Sequence, residues 1–239
     1  MGGHAISVIF DRDGTIYDSR KANYLALRRV LSHHSIESPS FDKVQAIEAA
    51  SDEEFWIAIL GKENGWKDFE GELRYSTPAF LDHTVIFPEA CIALKELHLN
   101  GITMALVSAL PGTKQTKKIL IRDNAHPYFN AVLTSEDVRE KVDIYTAEHY
   151  TRKLALIEKS LRLLKASPNN TIVVGDTATD IRVGKSLGAK TVGVLTGEGN
   201  IHELEKAGPN YIVFNLSELP HIAENEIHAA MKKQWEHRL

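Results

Sequence analysis

Residues 6–15 read Ile6-Ser7-Val8-Ile9-Phe10-Asp11-Arg12-Asp13-Gly14-Thr15, an apolar run that ends abruptly in two carboxylates, a glycine and a threonine. A short continuous apolar run of this kind forms a buried strand, and glycine lets the chain turn sharply where the strand stops. Strand residues i and i+2 share a face, so Asp11 and Asp13 are expected to aim at one small ligand. Neighbouring acids repel each other unless a cation joins them, and a hard cation suits oxygen donors. A solvated acidic loop after an edge strand would have the same local sequence, so the rest of the chain decides between the two.

Further apolar runs follow at 102–107, 131–133, 171–174, 191–195 and 211–214, separated by connections long enough for helices. Within those connections apolar residues recur at three and four, as in Leu154, Ile157, Leu161 and Leu164. Short β-branched runs alternating with helices predict an α/β chain with a Rossmann-like parallel sheet covered on both faces. In such sheets ligands bind beyond the C-terminal ends of the strands. Residues 18–84 differ in character. Leu25, Leu27, Val30, Leu31, Val44, Ile47, Phe55, Ile57 and Leu60 have helical spacing, with breaks around Pro39 and 61–65. The expected organisation is a core of 1–17 and 85–239 with an all-helical insertion at 18–84 after the first strand. The segment after Pro220 reads as a charged helical tail.

Composition narrows the function classes. The chain has 239 residues, 43% of them hydrophobic, and a formal net charge of −4. No strong field favours nucleic acid or an anionic membrane. The single cysteine, Cys91, excludes an intrachain disulfide framework and a cysteine-based zinc site, and is expected to be a small buried hydrophobe. No apolar stretch approaches the roughly 20 residues needed to cross a bilayer, and no secretory signal pattern is apparent. A cytoplasmic protein with no membrane and no nucleic-acid partner is expected. The 11 histidines, including His33-His34, show no metal-ligand spacing and are expected mostly at the surface.

The residues just past the strands are Asp11 and Asp13, then Ser108, then Asp176 and Asp180. Any one of these acids could simply cap a helix. Four carboxylates and a hydroxyl from three distant segments, all at one sheet edge, read instead as a site.

These motifs resemble those of the haloacid dehalogenase superfamily of phosphohydrolases, within it the phosphoglycolate phosphatase-like group with a helical cap. The likeness rests on Asp11-Arg12-Asp13-Gly14-Thr15, on Leu106-Val107-Ser108, on a lysine opening a helix, and on Gly175-Asp176 through Asp180. Smaller pieces agree, including Phe87-Pro88-Glu89-Ala90 and Thr134-Ser135-Glu136-Asp137-Val138. The resemblance implies that 18–84 is the cap, that Asp11 is a nucleophile forming an aspartyl-phosphate, and that Asp13 is the general acid and base. It implies Mg²⁺ held by Asp11, the Asp13 backbone carbonyl and Asp176, and a phosphate held by Thr15, Ser108 and the lysine, with Asp180 in support. Counting forward from 134–138 points to Lys141; counting back from Asp176 points to Lys153, which is favoured.

The implied substrate is a small phosphorylated metabolite, and the protein a monomer or homodimer. Asp13 favours phosphate esters over the dehalogenase and phosphonatase branches, which typically lack a second acid there. A phosphomutase, or a binding protein that keeps the fold without catalysis, is the alternative. Arg12 departs from the pattern, since capped members often have an apolar residue there. Asp-Arg-Asp-Gly is similar to the histidinol-phosphate and heptose-bisphosphate phosphatases of the same superfamily, but the lone cysteine and the long insertion argue against that branch. The insertion offers Lys21, Arg28, Arg29, Lys43, Lys62, Lys67 and Arg74 as cations, none singled out by the sequence.

Overall fold

A computed structural model describes residues 6–47, 52–61, 65–144, 147–197 and 199–236, and Lys62 lies outside them. The first strand, β1 (Ser7–Asp11), leads through the turn at Gly14 into a two-residue strand, β2 (Tyr17–Asp18). Gly14 sits at φ +73°, a left-handed conformation that glycine adopts without steric cost. Four helices follow: α1 (Arg20–His33), α2 (Phe41–Gln45), α3 (Asp52–Leu60) and α4 (Trp66–Ser76), then a 3₁₀ segment, Thr77–His83. The chain returns through β3 (Val85–Ile86), which pairs antiparallel with β2. Neither two-residue strand is long enough to leave a periodic signal in the sequence, and the sequence reading contained neither.

The remainder alternates helix and strand: α5 (Pro88–Leu99), β4 (Thr103–Ser108), α6 (Thr113–Arg122), β5 (Ala131–Thr134), α7 (His149–Leu164), β6 (Thr171–Gly175), α8 (Ala178–Ser186), β7 (Lys190–Val194), α9 (Ile201–Ala207), β8 (Tyr211–Val213) and α10 (Leu219–Glu236). Among the described residues six strands form one parallel sheet in the order β5-β4-β1-β6-β7-β8. The winding reverses beside β1, which places a ligand crevice at the C-terminal ends of β1, β4 and β6.

Side-chain alternation divides the core into two layers. Val8, Phe10, Met104, Leu106, Ile172 and Val174 face α5, α6 and α10. Ile9, Ala105, Val107 and Val173 face α7 and α8. Asp11 continues the parity of Ile9, toward α7 and α8; Arg12 continues that of Phe10, toward α6. The tail helix is part of the body, since Leu219, Ile222 and Ala223 are buried in the first layer. Cys91, expected inside, is only half-buried on α5.

The helices between β2 and β3 have a hydrophobic cluster of their own, made of Tyr24, Leu27, Val30, Leu31, Val44, Trp56 and Phe69. Pro78 and Leu81 pack against Gly112 at the start of α6. Arg122, at the end of α6, donates to the carbonyls of Asp82 and Thr84, both at 2.9 Å, and clamps the returning chain.

Leu94 is fully buried on α5 and Leu99 is 73% exposed on the same helix. Leu94→Ala should cost about 2–5 kcal/mol in unfolding free energy. Leu99→Ala should stay within about 0.5 kcal/mol. Urea midpoints of the two variants check this, and equal midpoints would contradict the layer assignment.

Candidate active site

At the C-terminal end of β1 the Asp11 carboxylate turns toward α7 and meets the Lys153 ammonium, with Nζ 2.5 Å from Oδ1. The same ammonium lies 2.8 Å from Asp180 Oδ1 on α8. Lys153 is 1% exposed, whereas Lys141 is exposed in the segment before α7. Of the two lysines left open by counting, Lys153 is the one brought to the acids. It stands inside α7, which begins at His149 and not at residue 154 as the apolar pattern predicted. The first turn carries no apolar stripe because its inward side chains are charged. Arg152, its neighbour, is buried and donates from Nε to the Ala109 carbonyl at 3.1 Å, with a second bond to the Ala147 carbonyl. It thereby fixes the loop immediately after Ser108, a role no sequence motif had flagged.

Asp180 carries both readings that the sequence allowed. Thr177 caps α8 and forms a capping box with Asp180, whose Oδ2 accepts from the Thr177 hydroxyl at 2.7 Å. The other oxygen holds Lys153. Burial would raise the Asp180 pKa, but Lys153 outweighs it and the carboxyl stays below its ordinary value. Burial pushes Asp11 up to about 7 against the pull of Lys153, with repulsion from Asp180 and Asp13 adding to the rise. Lys153 itself titrates above its ordinary value, because Asp11 and Asp180 outweigh the effect of burial. One turn before it, burial and the Lys153 cation push His149 down to about 3, so its imidazole is neutral.

Asp176 follows β6 and is 3% exposed. Carboxylate oxygens of Asp11, Asp176 and Asp180 all lie within 4.8 Å of one another. The Thr15 hydroxyl, expected at the phosphate, donates instead to Asp176 Oδ1 at 3.3 Å and is fully buried. In this geometry it orients a carboxylate. A Cβ on Gly14 or on Gly197 would overlap the Asp176 carboxylate, so two loops close over it with backbone alone. Thr196 ties those loops together, donating to the Gly14 carbonyl at 2.6 Å. Gly197 escaped the sequence reading, since a single glycine after a strand carries no signal of what it faces.

Asp13 does not join the acidic cluster. It lies past the end of β1, and its carboxylate is gripped by Arg12, with Nε at 3.1 and 3.0 Å from its oxygens and a terminal nitrogen at 2.8 Å. Arg12 is fully buried and its other terminal nitrogen donates to Thr116 Oγ1 on α6 at 2.6 Å. Burial would raise the Asp13 pKa, but Arg12 outweighs it and holds the carboxyl below its usual value. The Ser108 hydroxyl, at the end of β4, donates to Asp13 Oδ2 at 3.2 Å.

The donor set fits a small hard divalent cation. Carboxylate oxygens of Asp11, Asp176 and Asp180 gather beside the Lys153 ammonium, while Asp13 is taken by Arg12.

Comparison with known proteins agrees with the fold. The family model described as haloacid dehalogenase-like hydrolase matches residues 8–194. A phosphoglycolate phosphatase from Aquifex aeolicus is 28% identical over 224 residues, 92% of this chain and 97% of that protein. Pyrophosphatase PpaX from Anoxybacillus flavithermus is 37% identical over 229 residues, 89% of this chain and 94% of that protein. Among solved structures, a haloacid dehalogenase-like family hydrolase from Streptococcus pneumoniae shares the fold at 18% identity, with a TM-score of 0.71 over 90% of this chain and 97% of its own. The chain belongs to the haloacid dehalogenase-like hydrolases. Within that family it is an enzyme of the phosphatase class. No helix among the described residues is long and apolar enough to cross a membrane.

Lys153→Met should lower turnover of a phosphate ester by at least about a hundredfold, the usual effect of removing one oxyanion donor. Lys141→Met should leave turnover within about twofold, as expected for an exposed side chain. Steady-state kinetics on both variants decides, and the reverse order would assign the role to Lys141.

Proposed function

We propose that the chain hydrolyses a small phosphate monoester in two steps through an aspartyl-phosphate on Asp11, with Mg²⁺ as its cofactor. The observation that carries this reading is the Asp11 carboxylate at the strand end, held by Lys153 and clustered with Asp176. In the first step an Asp11 oxygen attacks phosphorus, the bond to the leaving oxygen breaks, and Asp13, ionised at rest beside Arg12, relays a solvent proton to that oxygen. In the second step water attacks phosphorus, Asp13 takes the water proton, and phosphate departs with Asp11 restored. Ser108 and Lys153 hold phosphoryl oxygens as charge redistributes, and Asp180 keeps Lys153 in place. Asp11, Asp176 and the Asp13 backbone carbonyl would hold Mg²⁺, which when bound screens the carboxylate from the anionic phosphate.

In this reading residues 18–84 form a cap on a core of 1–17 and 85–239, an assignment supported by their separate hydrophobic cluster. Among the described cations of that segment Arg74 is the buried one, and its charge bears on His149 beside Lys153. Its guanidinium is paired with Glu70 at 2.8 Å, and an anionic substrate reaching it would compete with that carboxylate. A phosphoanhydride substrate is the second reading, since the 37%-identical relative is named a pyrophosphatase.

Free phosphate release from a panel containing phosphoglycolate, sugar phosphates, nucleoside monophosphates and pyrophosphate tests the reading and ranks the substrates. Hydrolysis should require Mg²⁺ and fall below detection in Asp11→Asn. Ca²⁺ should support turnover at least about tenfold more slowly, because it prefers looser and higher coordination at the nucleophile. No release from any ester with Mg²⁺ present would favour a binding protein, and phosphate transfer without release would favour a mutase.

A further inference from the structure

His33 ends α1 and His34 is its C-cap, where the backbone leaves the helix. Both rings converge on Glu72 of α4, which no sequence spacing could have revealed. His33 Nδ1 lies 3.2 Å from Glu72 Oε2, and His34 Nε2 lies 2.8 Å from Oε1. The three donor atoms all fall within 4.8 Å of one another. We propose that His33, His34 and Glu72 form a second cation site, selective for a borderline divalent ion of the Zn²⁺ class, that fastens α1 to α4.

The ligand chemistry separates this site from the one at the sheet edge. Two imidazoles and one carboxylate suit Zn²⁺, whereas Mg²⁺ takes oxygen donors and gives up water reluctantly. Tetrahedral bonds of ordinary length would place neighbouring donors about 3.3 Å apart, and one donor atom from each of the three residues already lies within 4.8 Å of the others. The His34 ring is set in advance by packing on Phe69, with centroids 4.4 Å apart, so the donors need only small rotations. His33 is 74% and Glu72 37% exposed at the side chain, which leaves a fourth position open to water and an entry path from solvent. The negative end of the α1 dipole also favours a cation at that point.

Zinc titrated calorimetrically into the full chain, in excess Mg²⁺ so that oxygen sites are occupied, tests this. Binding of about one equivalent in the micromolar range is expected, weakened at least about tenfold in both His34→Ala and Glu72→Gln. Far-UV circular dichroism of the variants should match the parent, showing that lost binding is not lost folding. Zinc uptake equal in parent and variants, or none by the parent below millimolar concentration, would overturn the proposal and leave the cluster as two imidazoles hydrogen-bonded to a carboxylate. Because its readout is heat of zinc binding, failure here leaves the phosphatase reading untouched.

Discussion

Four carboxylates stand at the C-terminal edge of one parallel sheet, and two buried cations divide three of them between them. Lys153 lies between Asp11 and Asp180, and Arg12 takes Asp13. Both cations are almost wholly buried, and each is reached by the strict alternation of β1. Asp11 points to the α7 side and Arg12 to the α6 side, so one dipeptide serves two layers of the molecule. Removing either cation would leave a carboxylate buried without its partner, which is far costlier than never having built the pair. The carboxylate oxygens of Asp11, Asp176 and Asp180 that gather there are the donor type a divalent ion such as Mg²⁺ takes.

The sheet was legible because buried parallel strands are nearly continuous apolar runs, and six such runs fell within a residue or so of the observed strands. Asp11, Asp176 and Asp180 were legible as strand-end acids and do converge. What the sequence could not disclose was the fate of polar groups that are buried against other polar groups. The first turn of α7 was missed because its inward residues are Arg152 and Lys153, which a hydrophobic pattern reads as solvent-facing. The bond from the Thr15 hydroxyl to Asp176, 161 residues away, likewise has no local signal.

Arg12 shows the same limit from the opposite side. As a sequence feature it was an oddity in a motif; in the folded chain its guanidinium reaches Thr116, 104 residues away, and governs the environment of Asp13. His33 and His34 likewise lacked any spacing partner, since Glu72 comes from another helix. Long-range pairings between polar side chains follow from topology, and topology is what local pattern leaves open.

The paired strands β2 and β3 have a consequence for how the molecule is put together. Departure and return of the helical segment occur side by side, about 5 Å apart as in any antiparallel pair. The body therefore sees the whole segment as the loop of a hairpin, and closing that loop costs little more for a long segment than for a short one. A splice at this ribbon could exchange the helices for another module, or for a few residues of turn, without redrawing the path of the sheet.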